Sequence, residues 1–150
     1  MGKKKGKFKS GTWVERELFL SRAYLSLKGF APQMLVLFLG KRDMNKKTHE
    51  CLNKNNITMT YAELENIFNR GRHNQYGAKK KDGISRPRIT RGFNDLMAKG
   101  FINIIRQGGA YQQDKTIYAL TDDWSWWQPG QVIYKRPKDT RQLGYRNKKK

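Results

Sequence analysis

The sequence predicts a mainly α domain that closes with a small β-hairpin and is flanked by disordered basic tails. Three observations predict it. Residues 85–100 place Ile89, Phe93, Leu96 and Met97 at i, i+4, i+7 and i+8, one apolar stripe on a helix that also carries Arg86, Arg88 and Arg91. The runs "FINIIRQ" (101–107) and "KTIYALT" (115–121) are strand-like, and the turn-rich "GGAYQQD" joins them. The charge is uneven: of the formal +20, residues 1–11 and 128–150 together carry +12, which leaves +8 for the middle.

In chain order, residues 1–12 form a Lys/Gly arm. Residues 13–28, "WVERELFLSRAYLSLK", fit either a short helix or an extended lead-in. Residues 31–42 predict a helix, because Pro32 suits a first turn and Lys41 and Arg42 a last one. Met34, Leu35, Leu37, Phe38 and Leu39 cover most of its faces, so it should lie deep in the core. Residues 43–56 are polar and predict a loop. "ITMT" at 57–60 alternates as a short strand, and the next helix opens with a capping box in which Thr60 reaches the Glu63 amide and Glu63 reaches back. Leu64, Ile67 and Phe68 share one face of that helix. Residues 70–84 show no apolar period and predict a long loop, a length that in small domains belongs to functional or unstructured segments. Ser85 is the N-cap candidate of the next helix, Pro87 suits its first turn, and Gly100 sits where a left-handed residue closes it. The hairpin follows at 101–121. In "DDWSWWQPG", Asp122 or Asp123 is expected to cap a short terminal helix carrying Trp124, Trp126 and Trp127. The folded domain is thus expected at 13–127, with a basic C-terminal tail at 128–150.

Composition narrows the function classes. An excess of 32 Lys and Arg over 12 Asp and Glu makes the folded state repel itself, which points to a polyanionic partner. The single cysteine, Cys51, allows no disulfide within the chain and fits a reducing cytoplasm. The longest apolar run, Met34 to Leu39, falls far short of the roughly 20 residues a membrane span needs. "MGKKKGK" has no apolar segment behind it and makes a poor signal peptide, and Gly6 departs from the myristoylation pattern. Zinc needs about four ligands, yet His49, Glu50 and Cys51 find no second pair at fitting spacing, and His73 stands alone. No Ser-His-Asp set, phosphate loop or spaced carboxylate pair is present in the sequence. The expectation is a non-enzymatic, cytoplasmic, nucleoid-associated protein with no cofactor, no metal and no membrane contact.

The order helix, helix, short strand, helix, helix, hairpin is the layout of a winged helix. On a wheel of about 100° per residue, Arg88, Arg91, Asn94 and Asp95 face away from Ile89, Phe93 and Leu96. A helix anchored by that stripe presents them outward, as a helix in the DNA major groove requires. Arg86, at the helix start, is placed to reach a backbone phosphate. The hairpin becomes the wing, with Arg106 and Lys115 flanking its tip. The expected DNA-binding residues are therefore Ser85, Arg86, Arg88, Thr90, Arg91, Asn94, Arg106 and Lys115, joined by Lys79, Lys80 and Lys81 of the long loop. The bland alternatives are a solvated helix face and a solvated lysine loop. Tyr111 and the tryptophans have the chemistry to stack on bases, but two of Trp124, Trp126 and Trp127 fit core packing better.

"ISRPRITRGFNDLMAKGFINIIRQGG" followed by "TIYALTDDW" resembles winged helix-turn-helix proteins of bacteria and phages, including replication-initiator and small regulator families. The likeness rests on a Ser-Arg start to the recognition helix, on the helix-to-wing step at Leu96, Gly100, Phe101 and Ile102, and on the return-strand pattern at Tyr118, Leu120 and Trp124. It covers roughly residues 31–127. The loop at 70–84 is longer than the usual turn of such a motif and offers a basic contact loop in its place. The resemblance implies sequence-specific binding of double-stranded DNA, as a transcription regulator or DNA replication-initiation factor, and leaves room for a homodimer. Fold alone does not choose among roles. The alternative is an RNA- or ribosome-associated basic protein whose arms thread along RNA; a weaker third is a protein-interaction domain whose tails keep it dispersed.

Overall fold

The computed structural model describes residues 11–69, 83–109 and 113–138. The lead-in that the sequence leaves open is two single-turn helices, α1 (Arg16–Phe19) and α2 (Arg22–Leu25). Ser21 separates them, its hydroxyl accepting from the Tyr24 amide at 3.1 Å as the N-cap of α2. Helix α3 (Ala31–Gly40) begins with proline in its first turn and buries Met34, Leu35, Phe38 and Leu39. Of "ITMT", only Ile57 and Thr58 pair, as β1 (Ile57–Thr58). Helix α4 (Tyr61–Phe68) opens with the complete Thr60–Glu63 capping box. The Lys41 ammonium donates to that same Glu63 carboxylate at 2.8 Å and so ties the end of α3 to the cap.

Helix α5 (Arg86–Ala98) buries Ile89, Phe93, Leu96 and Met97, the four residues of the apolar stripe. It also buries Gly92, and the reason is local: a Cβ there would stand 2.3 Å from the Met34 sulfur, so α3 and α5 cross at a point that a side chain would block. The helix ends as its sequence predicts. Gly100 takes φ +80°, and the Gly100 and Phe101 amides donate to Met97 and Leu96 carbonyls at 3.1 and 3.0 Å, the two bonds of a Schellman closure.

Strands β2 (Ile102–Arg106) and β3 (Ile117–Leu120) form the expected antiparallel hairpin, and β1 joins on the far side of β3 to give the order β1-β3-β2. Ile102 faces Leu120 and Ile104 faces Tyr118, whereas Arg106, not Ile105, faces Ile117. The extra residue is a bulge that turns Ile105 out to solvent. An aromatic cluster joins helices and sheet. Phe93 stacks parallel on Tyr118 with centroids 5.2 Å apart, meets Phe38 edge-on at 6.0 Å and packs against Tyr61 at 5.6 Å. Burial pushes the Tyr118 phenol above its ordinary pKa, and the nearby Arg136 guanidinium partly opposes that rise.

Two sequence expectations need correction at the C-terminal side. The tryptophan segment is a 3₁₀ turn, Asp123–Trp126, and neither Asp122 nor Asp123 caps it with a side chain. Four residues cannot make an α-helix that buries three indoles, so they divide. Trp127 is buried, Trp124 stacks on Phe101 at 6.0 Å, and Trp126 stays largely exposed. Nor does the folded part stop at 127. The Ile133 amide donates at 2.8 Å to the Ala98 carbonyl, which the end of α5 leaves free, the Tyr134 amide adds a second donor at 3.2 Å to the Met97 carbonyl that already accepts from Gly100, and both side chains pack against the core. Arg136 then lies over the Phe93 ring at 5.8 Å, and its Nε and Nη2 are buried with no hydrogen-bond partner among the described residues.

Among the described residues there are five α-helices and one small three-stranded antiparallel sheet. The succession α3, β1, α4, α5, β2, β3, with β1 on β3, is compatible with a winged-helix layout. No helix of the described residues is long and apolar enough to cross a membrane.

Candidate nucleic-acid interface

One face of α5 is fully committed to the core, which fixes what the other face shows. Arg88, Arg91 and Asn94 are exposed along it, as the wheel predicts, whereas Asp95, expected on the same face, is half-buried and held by Lys99 and the Lys28 amide. Neither the Arg88 nor the Arg91 side chain makes a hydrogen bond or ion pair among the described residues. Two like charges three residues apart on a helix repel by a few tenths of a kcal/mol, so the fold itself gains nothing from placing them there.

The remaining expected contacts are less free. Arg86 does not swing loose at the helix start: its Nε donates to Glu65 of α4 at 2.8 Å. A carboxylate on the neighbouring helix was within reach, and nothing in the local sequence signals a partner 21 positions away. The pair is exposed enough to contribute only about 0–1 kcal/mol, so it yields readily to a phosphate. Thr90 is half-buried and shares a hydrogen bond with the Tyr61 hydroxyl at 2.8 Å, while its own hydroxyl also meets the Arg86 carbonyl. It fastens α5 to α4 and is not free to reach a base. Ser85 occupies the N-cap position in an extended conformation, but its side chain makes no capping bond, and its carbonyl accepts from Arg88 and Ile89 instead.

On the hairpin, Arg106 is paired with Asp114 at 2.7 Å, across the base of the tip, and Lys115 is exposed. Lys79, Lys80 and Lys81, the rest of the loop 70–82 and Tyr111 lie outside the described residues. The two ends of that loop are placed, however. The Ile84 amide donates to the Asn69 side-chain oxygen at 3.2 Å, so the chain leaves α4 and returns to α5 at one point. His49, Glu50 and Cys51 lie on a small turn closed by the Met44–Cys51 bridge; among the described residues no group of three or more potential metal ligands comes together.

Sequence reasoning missed one part of this surface. An open groove of about 700 Å³ runs between α5 and the turn at residues 28–30, with Arg88 and Arg91 on one wall and Lys28 on the other. The half-buried Phe30 adds apolar surface, and Asn94 is part of the lining. The dipeptide Lys28-Gly29 was the available signal, a cation next to a turn residue, but nothing in it indicates a neighbour some sixty positions on. Lys99 illustrates the opposite case. It is buried, paired with Asp95 at 2.8 Å and bonded to the Ser26 carbonyl at 2.6 Å, a cation used wholly by the fold.

No family model, no curated protein and no solved structure matches this chain.

Proposed function

We propose that this chain is a winged helix protein that binds double-stranded DNA sequence-specifically, as a transcription regulator or replication-initiation factor. In this reading α4 and α5 form the helix-turn-helix pair, α5 enters the major groove, and the β2–β3 hairpin is the wing. The observation that carries it is the state of Arg88 and Arg91: exposed, with side chains that have no partner among the described residues, and carried on a helix whose opposite face is buried. Arginine on such a helix bonds bidentately to guanine O6 and N7, and Asn94 has the amide that pairs with adenine N6 and N7. Arg86, Arg106 and Lys115 meet phosphates, which position the protein without reading sequence. The +12 carried by the two terminal segments adds sequence-independent attraction.

Selection from a pool of random duplexes tests this. A recovered consensus is the expected result, and two half-sites about 34–36 Å apart would indicate a homodimer. Recovery of no consensus, with tighter binding to duplex RNA than to DNA, would support the RNA-associated alternative. The deep, narrow major groove of A-form RNA closes it to a helix, so RNA binding would leave α5 without a reading role.

A further inference from the structure

We propose that the groove between α5 and the turn at residues 28–30 holds one phosphodiester strand of the bound DNA, with Lys28 as its phosphate contact. The inference rests on the duplex-DNA reading of α5 and adds a wall to the interface that α5 alone does not have. A helix seated in the major groove is bordered by a sugar-phosphate strand, so a groove along its flank lies where such a strand runs.

The chemistry of the groove is complementary to that strand. Arg88 and Arg91 stand on one wall and Lys28 on the other, all three exposed and none ion-paired among the described residues. The half-buried Phe30 between them presents apolar surface, which suits the faces of deoxyriboses. The acid that lines the groove, Asp95, does not spoil this balance. Its carboxylate already accepts from the Lys28 amide at 2.9 Å and is paired with the buried Lys99 ammonium at 2.8 Å.

The same contacts place Lys28. Asp95 holds its backbone, and Lys99 grips the Ser26 carbonyl two residues earlier, so the turn is fastened to α5 at two points. Gly29 follows at φ +57°, a conformation that lets the chain reverse directly into α3. Lys28 is therefore carried at a fixed offset from Arg88 and Arg91, unlike a lysine on a free loop. Fixed spacing matters because phosphates along a strand recur at fixed intervals.

The test is a set of titrations of the full chain against selected and scrambled duplexes over a range of salt. Lys28→Ala is compared with Lys47→Ala, an exposed lysine on the turn near the Met44–Cys51 bridge. Loss of one phosphate contact should make the log–log salt slope shallower by about one and lower affinity about five- to tenfold at 0.1 M salt, equally on both duplexes. Lys47→Ala should stay within about twofold of the parent, since it touches no groove wall. The Lys28 side chain is exposed and its amide stays in place, so the variant should melt with the parent. Equal small effects from both lysines would overturn the groove as a contact. If Lys28→Ala is silent while Arg91→Ala abolishes discrimination, the groove assignment falls and the reading of α5 stands. If the parent itself fails to bind duplex DNA, that reading falls, and the groove with it.

Discussion

Replacing Phe93 with alanine is expected to remove about 3–5 kcal/mol of folding stability, the largest loss of any single side chain considered. The ring is wholly buried, stacks on Tyr118, meets Phe38 and Tyr61, and lies beneath the Arg136 guanidinium. Its removal therefore opens a cavity at the point where α3, α4, α5, β3 and the C-terminal segment converge. It also removes the ring beneath Arg136, two of whose nitrogens are buried without a hydrogen-bond partner among the described residues. Because small domains are stable by only about 5–15 kcal/mol, a shift of that size should move a urea midpoint far down. Tryptophan fluorescence is a convenient readout, since Trp124 and Trp127 pack at the end of the same helix. Phe93→Leu keeps most of the volume and should cost distinctly less. A Phe93→Ala midpoint close to the parent's would mean that the aromatic cluster does not organise the core.

Gly100→Val is expected to cost about 2–5 kcal/mol, from two sources that add. At φ +80° a β-branched residue is strained by roughly 1–2 kcal/mol. In addition, its Cβ would lie 2.8 Å from the Asp123 carbonyl carbon and the Trp124 nitrogen, and 2.7 Å from the Ile133 side chain. Two of these neighbours are backbone and cannot rotate away, so the 3₁₀ turn must move, at a cost typical of overpacking of about 1–3 kcal/mol. Gly100→Ala carries the same clash with less torsional strain and should fall between parent and valine. A thermal melt of Gly100→Val that coincides with the parent's would show that the helix end tolerates a different closure.

The parts of the fold that local chemistry dictates were legible in the sequence. The stripe at Ile89, Phe93, Leu96 and Met97 is a periodicity, the Thr60–Glu63 box is a spacing, and the left-handed Gly100 is a residue type that few others replace. The strands were legible for the same reason, although the bulge at Ile105 was not. What escaped depends on pairs that the chain brings together from afar. The Arg86–Glu65 ion pair, the Tyr61–Thr90 hydrogen bond and the Arg106–Asp114 pair change how three expected contacts sit, and no local pattern marks them. The docking of residues 131–136 escaped because Val132, Ile133 and Tyr134 are a three-residue apolar run in a basic stretch, too short to show a period. The groove at Lys28 escaped because its two walls come from separate parts of the chain. The exposed face of Arg88, Arg91 and Asn94 was legible, because it is the complement of the stripe.

The central claim is that this face reads DNA bases, and Arg91→Ala tests it most directly. Affinities of parent and variant are measured at one salt concentration on the selected duplex and on a scrambled one. A bidentate contact to guanine is worth about 1–3 kcal/mol of discrimination, so affinity for the selected duplex should fall about 5- to 150-fold. Affinity for the scrambled duplex should fall only by the share of one lost charge, and the ratio between the two duplexes should shrink accordingly. An equal loss on both duplexes, with the ratio unchanged, would contradict the claim and make the helix a charged rail that attracts DNA without reading it.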